Sequence, residues 1–140
     1  MRQILLFAAL AASLALLSGC ALSRAKEDKA EDMTGKAAYH KISAEEAYEM
    51  MASQEVVVVD VRTREEYDGG HIENAVLVPN ESIGSEMPAA LPDKETTLLV
   101  YCRSGRRSKD AAQKLLALGY QSVYDFGGVI DWPYELVKEG

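Results

Sequence analysis

Valine fills every position from Val56 to Val59. Such a β-branched run suits a strand buried on both faces, as in a parallel sheet, better than one with a wet face. A second run, "TTLLVY" from Thr96 to Tyr101, leads directly into Cys102. Helical signals stand between and around these runs. "SAEEAYEMMAS" from Ser43 places Ala47, Met50 and Met51 on one face, and Ser43 and Glu46 are spaced as a capping box. "TREEYDGG" reads as one or two helical turns stopped by Gly69 and Gly70, and "ESIGSEMPAAL" as a short, irregular helical piece. Over 106–118 a stripe holds Ala111, Ala112, Leu115, Leu116 and Leu118, with Gly119 as the stop. "YHKI", "AVLVP" and "SVY" complete the strands, and "VIDWPYELVKE" predicts a last helix. Strands alternating with helices imply one α/β domain on a parallel sheet.

The 140 residues are enough for one domain, and the formal net charge of −7 argues against a nucleic-acid-binding surface. The start of the chain is set apart. "MRQILLFAALAASLALLSGC" has Arg2, then an apolar run from Ile4 to Leu17, short of the roughly 20 residues a membrane-spanning helix needs. It ends in Leu17-Ser18-Gly19-Cys20, which resembles the lipobox of bacterial lipoproteins. That resemblance implies a signal peptide over 1–19, lipid on Cys20, and a flexible tether over 20–38 before a domain over 39–140. The expected location is the cell envelope outside the cytoplasm, anchored to a membrane through Cys20. Ala21, not an aspartate, follows the cysteine, which by resemblance to Gram-negative lipoproteins allows transfer to the outer membrane; the expected site is the periplasmic side of the outer or inner membrane. In a Gram-positive cell it would be the outer face of the plasma membrane.

The chain has 2 cysteines. With Cys20 acylated, Cys102 has no partner within the chain and is a candidate reactive thiol. Cys102 ends a buried strand, and in open α/β sheets ligands bind beyond the carboxyl ends of strands. The next residues are Arg103, Ser104, Gly105, Arg106 and Arg107. A tight turn into a helix leaves backbone N–H groups pointing inward, Gly105 permits the turn, and the result is a nest for an anion. Ionising a free cysteine at neutral pH needs roughly 2.7 kcal/mol. A helix terminus supplies roughly 0.3–2 kcal/mol, and N–H groups and an arginine supply the rest. A thiolate therefore needs no histidine base, and neither His40 nor His71 is tied to Cys102 by the sequence. The cysteine and histidine spacing gives no metal site, and no cofactor is implied.

These landmarks resemble a single rhodanese domain, the thiosulfate sulfurtransferase fold, over residues 39–137. "VVVVDVRTREEYDGGHIENAVLVP", "VYCRSGRRS" and "LGYQSVYDFGGVIDW" follow the family pattern in order. The resemblance implies a three-layer α/β/α domain on a five-stranded parallel sheet of order 3-2-4-5-1. It implies Cys102 as a nucleophile that takes sulfur from a small anionic donor such as thiosulfate. A thiol or cyanide then accepts sulfur from the Cys102 persulfide. The loop from Cys102 through Ser104 and Gly105 to Arg107 cradles the persulfide. Arg103 and Arg107, then Arg106, are expected to meet the donor, and Lys109 is only a helix-face charge. The implied sheet order sets Asp60 near the loop as an orienting carboxylate, with Arg62 a structural or supporting charge. Glu65, Glu66, His71 and Trp132 match scaffold positions.

Three alternatives use the same residues. Cell-cycle phosphatases and arsenate reductases share the fold, but their loop sets its arginine at the place held here by Ser108. The shorter loop ending at Arg107 fits a sulfur atom rather than a phosphate. A module carrying persulfide or binding anions for an unidentified membrane protein partner would keep the same cysteine. A thiol redox role would lack a resolving cysteine in the domain.

Overall fold

The structure, a computed structural model, describes residues 37–139. The expected signal peptide, Cys20 and nearly all of the tether lie outside the described residues. No helix among the described residues is long and apolar enough to cross a membrane.

Five parallel strands form one sheet. They are β1 (Ala38–Lys41), β2 (Val56–Asp60), β3 (Val76–Leu77), β4 (Thr97–Cys102) and β5 (Ser122–Gly128). Their order is β1-β5-β4-β2-β3, the expected 3-2-4-5-1 read from the other edge. Three α-helices connect them: α1 (Ala44–Ser53), α2 (Arg64–Asp68) and α3 (Arg106–Ala117). The capping box expected at Ser43 and Glu46 opens α1, and a second, of Thr63 and Glu66, opens α2.

The central strands are buried on both faces, as the valine run required. Val59, Leu98, Val100 and Cys102 pack with Ala111, Ala112 and Leu115 of α3. The alternate residues Val58, Leu99 and Tyr101 pack with Ala47 of α1, Tyr67 of α2 and Phe126. The sheet is thus the middle of three layers, with α3 alone on the face that carries the Cys102 side chain.

Two elements differ from the sequence reading. β5 runs on to Gly128 beyond the short "SVY" strand, because the charge of Asp125 is absorbed by hydrogen bonds inside the domain. The last helix does not form. Val129–Asp131 make a single 3-10 turn, and the tail returns as an isolated antiparallel bridge between Val137 and His71. Pro133 explains this. It removes an N–H donor and holds Trp132 extended, at φ −77° and ψ 113°. The irregular helical piece shrinks likewise, to a 3-10 turn at Asn80–Ser82.

Candidate active site

The end of β4 is where the sheet ladder becomes irregular. Val100 pairs with Asp125, but Cys102 pairs with Gly128, so β5 carries one extra residue between the two pairs. Gly127 absorbs the bulge at φ +91°. Bulges of this kind re-aim residues beside functional sites. Here the bulge brings Gly128 under the loop after Cys102. A Cβ on Gly128 would strike the backbone of Arg103 and Ser104, so only glycine fits. The Ile130 amide also donates to the Arg103 carbonyl at 3.2 Å, fixing the loop from below.

Cys102 is buried at the floor of this loop, 1% exposed. Gly105, in the left-handed region at φ +102°, turns its amide inward to donate to Cys102 Sγ at 3.0 Å. Burial pushes the Cys102 thiol up, but hydrogen bonds outweigh it and the net shift is downward. The bonds come from the Ser108 side chain first, then from the amides of Ser108, Gly105 and Ser104. These groups open α3, whose N-terminus favours an anion as well. The loop sequence led to the expectation of a thiolate without a histidine base, and the groups around Cys102 favour its ionised form. His71 is remote from this work: it is buried, stacked on Tyr67 at 3.7 Å, with Nδ1 2.9 Å from the Tyr67 carbonyl oxygen. His40 stacks on Tyr124. Among the described residues no group of His, Cys, Asp and Glu could hold a metal ion.

The arginines separate into two kinds. Arg103 and Arg106 are exposed at the loop, as is Ser104. Arg107 is half-buried and committed: its two terminal nitrogens donate to the two oxygens of Glu66, each at 2.8 Å. Its charge still senses Cys102, which helps to raise its own pKa. Arg107 is thus a fixed positive charge that joins α3 to α2, while Arg103 and Arg106 stand free at the exposed side of the loop. Glu66, read from the sequence as scaffold, is the hinge of this arrangement, since it also closes the α2 capping box by accepting from the Thr63 amide.

The Glu66–Arg107 pair makes an acid-stability prediction. Arg107 holds the Glu66 carboxyl down to about 2, from an ordinary 4.5, against an upward push from burial. A depressed carboxylate contributes stability above its unfolded value that is lost as pH falls through the folded one. The pair's contribution is thus full above about pH 4.5 and fades as the pH drops toward 2. Partial exposure limits it to on the order of 1–2 kcal/mol. Thermal melts of wild type and Glu66→Gln should converge across that window. Parallel curves would show that the pair does not carry this titration.

Asp60 and Arg62 form a buried pair on the other side of the sheet. Arg62 Nε and Nη2 donate to the Asp60 carboxylate at 2.9 and 2.6 Å, and the Tyr101 hydroxyl donates to the same group. Arg62 Nη2 also reaches the Gly70 carbonyl at 2.8 Å. Tyr101 lies on the opposite face of β4 from Cys102, so this network braces the sheet and the loop at Gly70–Ile72 rather than the thiol. Asp60 is thereby close to the site in sequence register but not among its hydrogen-bonding partners.

The sequence reading missed a second buried carboxylate, on the thiol's own side. Asp125 is 1% exposed. It accepts from Ser108 Oγ at 2.7 Å, from the Gly127 amide at 2.9 Å and from the Tyr39 hydroxyl at 2.7 Å. The signal was present as a charge inside an apolar strand, "SVYDFGG", which implies a buried partner set.

A parallel α/β domain with a cysteine at the carboxyl end of a central strand, between a β-bulge and a helix N-terminus, defines a class of cysteine-centred α/β folds. Within it, the model of the rhodanese-like domain family matches residues 43–133. The chain belongs to the rhodanese-like domain family. It is 35% identical to an Escherichia coli rhodanese solved with anions, at a TM-score of 0.54, covering 59% of this chain and 98% of that one. It is 27% identical to a human single-domain sulfurtransferase, at a TM-score of 0.59, covering 66% of this chain and 93% of that one. It is also 31% identical over 106 residues to the tRNA uridine(34) hydroxylase of Yersinia pestis, covering 72% of this chain. The chain spans 30% of the length of that curated relative.

Proposed function

We propose that the protein is a sulfurtransferase that moves sulfane sulfur from thiosulfate, or a similar small anionic donor, to a thiol or cyanide. The observation that carries this reading is the buried Cys102 Sγ at the mouth of α3, accepting the inward Gly105 amide at 3.0 Å. The Cys102 thiolate attacks the outer sulfur of thiosulfate. The new sulfur–sulfur bond forms as the donor's own one breaks, and sulfite leaves with the electron pair. The terminal sulfur of the persulfide carries the negative charge into the loop, where the inward amides receive it. An acceptor thiolate or cyanide then takes that sulfur, and the Cys102 thiolate returns with the bonding electrons. Two covalent half-reactions of this kind give ping-pong kinetics.

Arg103 and Arg106 meet the donor dianion at the loop's exposed side. Replacing both with alanine removes two charge-assisted hydrogen bonds, each worth about 1 kcal/mol at an exposed site. The donor KM should rise roughly thirtyfold, with the acceptor half-reaction almost unchanged. Steady-state kinetics with each substrate varied in turn would check this. An effect confined to the acceptor would contradict the role given to these arginines.

The tRNA hydroxylase relatives share only this module, and the −7 charge of the chain gives no electrostatic footprint for RNA. The lipobox-like Leu17–Cys20 supports an envelope location with lipid on Cys20. Metabolic labelling with a fatty acid tests that part: label lost in Cys20→Ala supports it, and label absent from the wild type refutes it.

A further inference from the structure

A groove of about 670 Å³ lies on the Tyr101 side of the sheet, opposite the face that carries Cys102. That size suits a small-molecule site. Three stretches wall it: α1 supplies Tyr48, the turn after His71 supplies Ile72 and Glu73, and the tail supplies Trp132, Tyr134 and Glu135. The bridge between His71 and Val137, with N···O distances of 2.9 and 2.8 Å, ties the tail to the turn. The groove is therefore formed before any ligand arrives, which lowers the cost of binding.

The aromatic wall has a shape that core packing leaves unexplained. Tyr48 stacks on Tyr134 with centroids 3.9 Å apart. Trp132 stands across both, inclined by 60° to Tyr48 and by 68° to Tyr134, so the rings make a corner rather than one stack. Trp132 rests on Phe126 at 5.6 Å, and packing accounts for that side of it. The two tyrosines stay open to solvent, at 46% and 37% exposure. Trp132 Nε1 is buried with no hydrogen-bond partner among the described residues, so apolar and aromatic contacts hold the indole in place.

The charge at this corner has one sign. Glu73 and Glu135 line the groove, and no Lys, Arg or His does. Both are exposed, and neither is in an ion pair among the described residues. Ring faces are electron-rich and attract a cation held over them. Two carboxylates beside them add to that attraction and repel an anion. Among the described residues no cluster could hold a metal ion, so the cation that suits this wall is organic. A zwitterionic headgroup suits it less well, because its phosphate would stand against Glu73 and Glu135.

We propose that this groove binds a small, free organic cation bearing a methylated ammonium group. The methyl groups lie against Trp132 and the tyrosines, and Glu73 and Glu135 serve as counter-charges. The site is separate from the thiol, and its occupancy is read without any sulfur transfer.

Trp132 is the only tryptophan of the chain, so intrinsic tryptophan fluorescence of the full-length protein reports this groove alone. Titration with choline chloride should give a saturable change that sodium chloride at equal ionic strength does not give. The neutral isostere 3,3-dimethylbutanol should bind roughly fivefold or more weakly, the worth of the cation's attraction to the rings. Phosphocholine, which carries the same cation beside a phosphate, should also bind more weakly than choline. Tyr134→Leu should raise the choline midpoint roughly two- to fivefold. If that variant disturbs the tail, the exposed pair Glu73→Gln with Glu135→Gln serves instead, and should raise the midpoint roughly two- to tenfold. No saturable change with choline, equal binding of the neutral isostere, or tighter binding of phosphocholine than of choline would overturn the proposal.

Discussion

Cys102→Ser should lose thiocyanate formation from thiosulfate and cyanide by a factor on the order of 10⁴ or more, down to background. Every geometric feature of the loop serves that sulfur. The Gly105 amide meets it at 3.0 Å, at the N-terminus of α3. A serine hydroxyl in the same place titrates far above any pH at which the domain is folded, and no histidine stands by to deprotonate it. The loss should therefore fall on kcat with no compensating change in fold, which a matching thermal melt would verify. Unchanged turnover in this variant would place the chemistry elsewhere.

Asp60→Ala should be the most damaging substitution for stability. It removes the partner of Arg62, a guanidinium on a residue that is 5% exposed, and leaves the Tyr101 hydroxyl without its acceptor. Breaking one side of a buried pair costs about 3–5 kcal/mol, because the remaining charge is stranded away from water. Urea unfolding should show a lower midpoint with an unchanged slope. The double replacement Asp60→Ala with Arg62→Met should recover part of the loss, since it removes the stranded charge as well. Equal stability of the single variant and the wild type would mean that the network on this face is ornamental, and that Gly70–Ile72 is held by the Val137 bridge alone.

Much of this architecture can be read from residues that act locally. Val56–Val59 and the run into Cys102 demand two buried strands; that they are neighbours follows from the family resemblance, and β2 pairs with β4 in register from Val56↔Thr97 to Asp60↔Tyr101. The capping box at Ser43 and the glycine after the 106–118 stripe mark helix ends by short-range chemistry. The thiolate cradle is local too, since a cysteine, a glycine and a helix start lie within one loop. What stays hidden is long-range pairing. Arg107 stands 41 positions from Glu66 and Asp125 stands 86 from Tyr39, and no spacing rule links them. The pairing of Arg107 with Glu66 is therefore visible only in the folded chain. The tail is a contest of local signals: "ELVKE" has helical composition, but Pro133 and the edge offered by His71 decide for an extended path.

On the proposed mechanism, Cys102 stores sulfur between the two half-reactions. Intact-protein mass spectrometry after brief exposure to thiosulfate, followed by peptide mapping, reads this directly. The expected result is a gain of one sulfur atom on the Cys102 peptide, removed by cyanide and absent in Cys102→Ser. A protein that gains no sulfur under these conditions, or gains it in Cys102→Ser as well, would rule out sulfur storage on Cys102.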